Sequence, residues 1–160
     1  MGTKGKEIVG KDADSIIKLL NKALVDEWYA YYQYWIGSYV VRGTMRPDVQ
    51  KEMKEHANEE LEHANMLSER IIQLGGIPVL NVFDKSEKGN CAYLPPKDFD
   101  VKKILSQNIK GEQCAILVYK NILDKLKGTK DYISFNMIRK ILEDEVEHEQ
   151  DLEDLQSDIV

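Results

Sequence analysis

The chain is 160 residues long, 42% hydrophobic, and carries a formal net charge of −6. That length fits one domain and that apolar share supplies a core, so a disordered chain is excluded. The negative balance argues against nucleic acid as the default partner, and no run of about 18 apolar residues reads as a membrane span.

The first segment with helical periodicity covers about residues 12–42 and stops at Gly43. Ahead of it lie Lys4, Lys6 and Lys11, read as a solubilising, frayed terminus rather than a DNA-binding arm. No apolar stretch of the secretory type precedes the helix, and a cytoplasmic location is the expectation. The second segment, about 47–75, opens at Pro47, a good first-turn residue, and closes at Gly75-Gly76 with Pro78 beyond. The third, about 99–127, follows Pro95-Pro96 with Asp98 or Asp100 as its cap and stops near Gly128. The fourth, about 130–157, starts near Thr129 or Asp131. At 1.5 Å per residue each is roughly 40 Å long, and four helices of matched length predict an all-α bundle within a single domain of residues 1–160. Short turns join the first helix to the second and the third to the fourth, so each pair is an antiparallel hairpin. About 22 residues, 76–97, separate the hairpins, enough to cross the length of the bundle.

The chemistry sits in a repeated pattern. The second helix contains Glu60-Leu61-Glu62-His63 and the fourth contains Glu145-Val146-Glu147-His148. The spacing of three residues puts carboxylate and imidazole on one helix face. A single such pair is a weak signal. Glu27 on the first helix and Glu112 on the third, however, each stand on an apolar, core-facing stripe, where a charge is costly unless it is paired or bound to metal. A constant displacement of 85 residues carries Glu27 to Glu112, Glu60 to Glu145, His63 to His148, Tyr34 to Tyr119 and Leu67 to Leu152. Two like hairpins packed about an approximate two-fold axis bring four glutamates and two histidines together. Four buried carboxylates cannot all stay ionised without cations, and two divalent ions neutralise them. An oxygen and imidazole donor set suits iron or manganese, and lacks the thiolates of structural zinc.

These residues resemble the ferritin-like superfamily, whose bundle has the same hairpin, long crossover, hairpin connectivity. The ligand pattern is similar to that of bacterioferritins, which implies Glu27, Glu60, His63, Glu112, Glu145 and His148 as ligands of two iron ions per subunit, with manganese as the alternative. Tyr34 sits where such proteins place a tyrosine that hydrogen-bonds a ligand carboxylate. Leu61 replaces the methionine through which bacterioferritins bind haem, so no haem of that kind is expected. The chain ends at Val160 with no fifth helix, which resembles the twelve-subunit Dps architecture. A bacterioferritin-like ligand set, a Dps-like length and two cysteines together resemble the Dps-like "thioferritin" group. That resemblance implies a redox role for Cys91 and Cys114 beside the site, a hollow dodecamer, and Fe²⁺ oxidation with hydrogen peroxide or O₂ for iron storage and protection from oxidative stress. Cys114 lies about 200° around the helix from Glu112 and is expected to face away from the metals, toward a neighbouring helix or the crossover. A dimanganese catalase, a rubrerythrin-like peroxidase and a DNA-protecting shell are the alternatives; the rubredoxin C-x-x-C pairs of rubrerythrin are absent.

Secondary features are an acidic stripe, Glu52, Glu55, Glu59 and Glu62, and an aromatic crowd on the first helix. The stripe is read as a solvated or mineral-facing surface, and His56 beside it as an exposed or transit histidine rather than a ligand. Trp28, Tyr29, Tyr31, Tyr32, Trp35 and Tyr39 are too many for one core stripe, which favours contact with another subunit.

Overall fold

The computed structural model describes residues 2–82 and 89–159, with the Lys6 side chain excepted. The described residues contain five α-helices: α1 (Thr3–Val9), α2 (Ala13–Val40), α3 (Arg46–Gln73), α4 (Val101–Leu126) and α5 (Tyr132–Asp158). Among the described residues there are no strands, only one isolated bridge between Arg42 and Asp100. The four long helices form a ferritin-like bundle in which α2 packs mainly on α3 and α4 mainly on α5. The short helix α1, joined to α2 by a 3-10 turn at Gly10–Asp12, was not expected from the sequence. Glycines at 2 and 5 and a mostly exposed surface give it neither propensity nor apolar periodicity to read.

The helix ends follow from local chemistry. The Asp100 carboxylate accepts from the Lys102 backbone N–H at the start of α4, and Asp131 accepts from Ser134 N–H at the start of α5. Asp131 also pairs with buried Arg70 of α3 at 2.6 Å, tying the two hairpins together at that end. Gly75, at φ 87, ends α3 in the left-handed region that glycine enters without steric cost. Gly37 lets α2 approach α3 closely: a Cβ there would lie 2.3 Å from Met53 Cε.

The crossover runs the length of α2. Asn21 binds the backbone of Ile77 and Val79, Tyr29 donates to Val82 O, and Asp26 accepts from the backbone N–H groups of Asn90 and Cys91. Further on, Gln33 accepts from Leu94 N–H, and Arg42 exchanges backbone bonds with Phe99 and Val101. Residues 83–88, inside the predicted crossover, lie outside the described residues.

Two apolar clusters fill the interior. One gathers Leu20, Leu24, Leu67, Ile71, Ile122 and Ile138; the other gathers Val41, Val49, Met53, Ile104, Leu105 and Leu152. Along every long helix the Glu or the Glu-His pair singled out above falls between its contributions to the two clusters. The charged layer therefore lies at mid-height, sealed above and below by hydrocarbon.

Candidate dimetal centre

Glu27, Glu60, His63, Glu112, Glu145 and His148 are each at most 3% exposed. The bundle brings all six together. Ligand-type atoms of Glu27, Glu60, His63 and Glu145 lie within 4.8 Å of one another, and so do those of Glu60, Glu112, Glu145 and His148. Glu60 and Glu145 belong to both groups. The two imidazoles point the same way: His63 Nδ1 is 3.2 to 3.3 Å from oxygens of Glu27, Glu60 and Glu145, and His148 Nδ1 is 3.6 Å from Glu60 and 3.7 Å from Glu145.

The opposite ring nitrogens are held from outside. His63 Nε2 lies 3.2 Å from Asp144, and His148 Nε2 lies 2.7 Å from Glu59. The tyrosines cross between hairpins: Tyr34 of α2 donates to Glu112 of α4, and Tyr119 of α4 donates to Glu27 of α2. Every one of these contacts obeys the displacement of 85 residues, Asp144 standing for Glu59 and Tyr119 for Tyr34. Tyr119, Glu59 and Asp144 are functional candidates that the sequence reading left out, although the repeat pointed to each of them.

Burial raises Glu27 and Glu112 well above the usual carboxylate range, and the neighbouring Glu60 and Glu145 charges add to it. Burial alone would also raise Glu60, but the adjacent His148 and His63 imidazoles outweigh it and hold Glu60 below its ordinary value. Burial works against charge on His63 and His148. The surrounding carboxylates outweigh it, lifting His63 far above the imidazole range and His148 to about 12. Burial, then the nearby carboxylates, raise Tyr34 and Tyr119 well above their normal range, so both phenols stay protonated as donors. Glu27 Oε2, Glu60 Oε1, both Glu145 oxygens and His148 Nδ1 are buried with no hydrogen-bond partner. Orphaned polar atoms converging at such range are costly for a metal-free protein and fit a pair of cations.

Cys91 and Cys114 form a disulfide that joins the crossover to α4. With Glu27, Tyr34 and Glu112 they line one cavity of about 170 Å³. Cys114 thus meets the crossover, as its helical angle implied, but it shares that cavity with Glu27 and Glu112 instead of facing away from them. The Asp26 carboxylate beside it holds the same stretch of chain; burial pushes Asp26 up to about 6 against the hydrogen bonds from Cys91 and Asn90. The bridge closes a loop of sequence separation 23, a constraint worth about 3 kcal/mol. A Cys91→Ser/Cys114→Ser chain is expected to unfold in urea with that much less stability than the oxidised protein at equal concentration. Coincident midpoints would show that the hydrogen bonds from α2 hold the crossover without the bridge.

His56 departs from the expectation of an exposed histidine. It is 2% exposed, stacks on His148 with ring centroids 4.1 Å apart, and meets Tyr34 edge-on. Burial, then the charge on His148, push it down to about 3, so it is neutral at pH 7. The aromatic residues Tyr32, Trp35 and Tyr39 remain 39%, 39% and 56% exposed on α2.

Residues 17–159 match the ferritin-like domain family. The chain belongs to the ferritin-like family. It is 30% identical to the DNA protection during starvation protein of Pyrococcus furiosus, over 93% of this chain and 80% of that one. It is 32% identical to the bacterioferritin of Brucella melitensis, over 86% and 80%. Among solved structures it is similar to a dodecameric thioferritin, the bacterioferritin-related protein of Bacteroides fragilis. That match has 47% identity over 99% of this chain and 95% of that one, with a TM-score of 0.93. The resemblance drawn from the paired Glu-x-x-His motifs and the two cysteines therefore agrees with the relatives found. The family stores and oxidises iron, and no helix among the described residues is long and apolar enough to cross a membrane.

Proposed function

We propose that this chain is a ferroxidase that oxidises Fe²⁺ in pairs with hydrogen peroxide, or with O₂, and delivers the product for storage inside a homo-oligomeric shell of twelve subunits. The observation that carries the reading is the pair of buried four-residue groups sharing Glu60 and Glu145. Such sharing suits two adjacent cations bridged by those two carboxylates, with Glu27 and His63 completing one position and Glu112 and His148 the other. Two irons per subunit balance four carboxylates, and manganese is the alternative occupant.

The protein's own residues supply position and charge. Tyr119 and Tyr34 fix the carboxylates of Glu27 and Glu112 by donating to them. Asp144 and Glu59 fix the imidazoles so that Nδ1 faces inward. The apolar clusters on either side exclude bulk water. Holding two Fe²⁺ side by side lets one peroxide accept an electron from each: its O–O bond breaks, and with two protons it leaves as two waters. Neither iron then has to release a hydroxyl radical in a one-electron step. The dodecamer rests on the B. fragilis relative and on the exposed aromatic face of α2. The P. furiosus relative's name refers to DNA, but a net charge of −6 speaks against that role here.

Anaerobic loading with Fe²⁺, then addition of hydrogen peroxide, tests the reading when iron oxidation and particle mass are both followed. Fast oxidation of two irons per peroxide in a particle of about twelve chains is expected. Peroxide loss with O₂ release and no net iron oxidation would replace the reading by a catalase. The outer carboxylates give a finer test. Asp144→Asn and Glu59→Gln are each expected to weaken Fe²⁺ binding by roughly 10–100-fold, since an imidazole freed to rotate binds less well. Unaltered affinity in anaerobic titration would mean that packing alone orients the rings.

A further inference from the structure

The cavity of about 170 Å³ between α2, α4 and the crossover has room for a few small molecules. Gln33 and Asn108 line it beside the dimetal residues, and the site described so far uses neither. Asn108 stands four residues before Glu112, on the same face of α4. It is 2% exposed, and a buried carboxamide is costly unless its polar atoms are met. The crossover decides which way each amide points. The Leu94 backbone N–H donates to Gln33 Oε1 at 3.3 Å, while Gln107 Nε2 donates to the Leu94 carbonyl. A backbone N–H can only donate, so Gln33 turns its oxygen to the crossover and its nitrogen inward. Gln33 Nε2 then donates to Asn108 Oδ1 at 2.8 Å, which leaves Asn108 Nδ2 as the end of the relay. Among the described residues no acceptor meets that nitrogen.

The repeat supplies an independent argument. The displacement of 85 residues takes Ala23 to Asn108 and Gln33 to Val118. On the Glu27 side of the pair the equivalent places are thus held by Ala23 and Val118, which belong to an apolar cluster. Helix packing is satisfied there by hydrocarbon alone. The two hairpins agree at the six central residues and at both tyrosines, then part company at two positions that meet in space and carry amides on the Glu112 side only.

We infer that Asn108 selects the oxidant: its Nδ2 donates to hydrogen peroxide held in this cavity, and Gln33 is the positioning residue that fixes the donor. The inference rests on the ferroxidase reading and deepens it. Each oxygen of peroxide carries lone pairs that accept from an N–H. O₂ is nonpolar and gains almost nothing from the same group. A site built to hydrogen-bond one ligand discriminates against a rival that lacks the matching atoms. The amide relay therefore favours peroxide over O₂ without touching the metal ligands.

Two readouts test it. Crystals of the full chain loaded with Zn²⁺, which does not reduce peroxide, are soaked in hydrogen peroxide. They are expected to show it within hydrogen-bond distance of Asn108 Nδ2, and to lose it in Asn108→Leu. Stopped-flow oxidation of bound Fe²⁺ with each oxidant in turn is the second readout. Asn108→Leu is expected to raise KM for peroxide roughly 5–10-fold, the size of one neutral hydrogen bond, and to lower the peroxide-over-O₂ ratio of kcat/KM by the same factor. Gln33→Leu, at a half-buried position, is expected to shift the ratio less and in the same direction, and decides the matter if the Asn108 variant fails to fold. A role confined to tying down the crossover would lower the melting temperature and leave the ratio alone. That result, or peroxide bound away from Asn108 in the crystal, would overturn the inference. A parent chain that oxidises Fe²⁺ with neither oxidant would overturn the ferroxidase reading, and this inference with it.

Discussion

Glu60→Ala is expected to slow Fe²⁺ oxidation by roughly 10³-fold or more, beyond the ~10–100-fold that follows loss of an outer hydrogen bond to a metal ligand. Glu60 stands in both four-residue groups, so its removal takes an oxygen from each cation position at once. The same change is expected to leave the metal-free chain folded, with stability altered by no more than about 1 kcal/mol. Two effects offset each other. Both imidazoles lose one carboxylate neighbour, though His63 keeps Glu27 and Glu145 and His148 keeps Glu145. Glu27 and Glu112, both raised first by burial and then by nearby charge including Glu60, are relieved of that repulsion. Stopped-flow oxidation beside a thermal melt separates the two readouts, with Glu69→Ala, an exposed change on the same helix, as control. Oxidation at the parent rate in Glu60→Ala would remove Glu60 from the chemistry and with it the shared-ligand geometry.

The central six residues were legible because their signal is local and repeated. An i, i+3 pair fixes a helix face, and a single displacement relates both hairpins. Helical periodicity gives direction but not depth, which is why His56 read as exposed: it sits beside an acidic stripe in sequence, yet Tyr34 and His148 cover it from two other helices. Tyr119 appeared in the repeat but gained a partner only once the hairpins were docked, since each tyrosine donates across to the other hairpin's glutamate. The crossover's path was closed to sequence reading for a similar reason. Asn21, Asp26 and Gln33 look like ordinary polar residues of an amphipathic helix, and only the fold shows that they bind crossover backbone in succession. The Cys91–Cys114 bond needs the same information, because a loop residue and a helix residue 23 apart meet only when that path is set.

Loading the pair with Fe²⁺ under anaerobic conditions, or with Zn²⁺, is expected to raise the melting temperature by about 10–20 °C. A ligand at a hundred times its dissociation constant stabilises the native state by about 2.7 kcal/mol, two such ions give roughly 5, and each kcal/mol shifts the melting of a chain this size by about 2–4 °C. The gain must depend on pH with a definite sign. In the metal-free chain the surrounding carboxylates hold His63 and His148 above the imidazole range, so both are protonated near neutrality, and burial shifts Glu27 and Glu112 upward from the carboxylate range. Cations need neutral imidazoles and ionised carboxylates, so binding expels those protons. At least two protons per cation pair are expected to appear in weakly buffered solution at pH 7. As pH falls, protons compete better and the thermal gain shrinks; as pH rises, it grows. Titration at pH 6 and pH 7.5, with melting curves and proton release followed together, checks both. A gain of a degree or two, with no protons released, would mean that cations bind at the acidic surface and leave the buried layer protonated and closed.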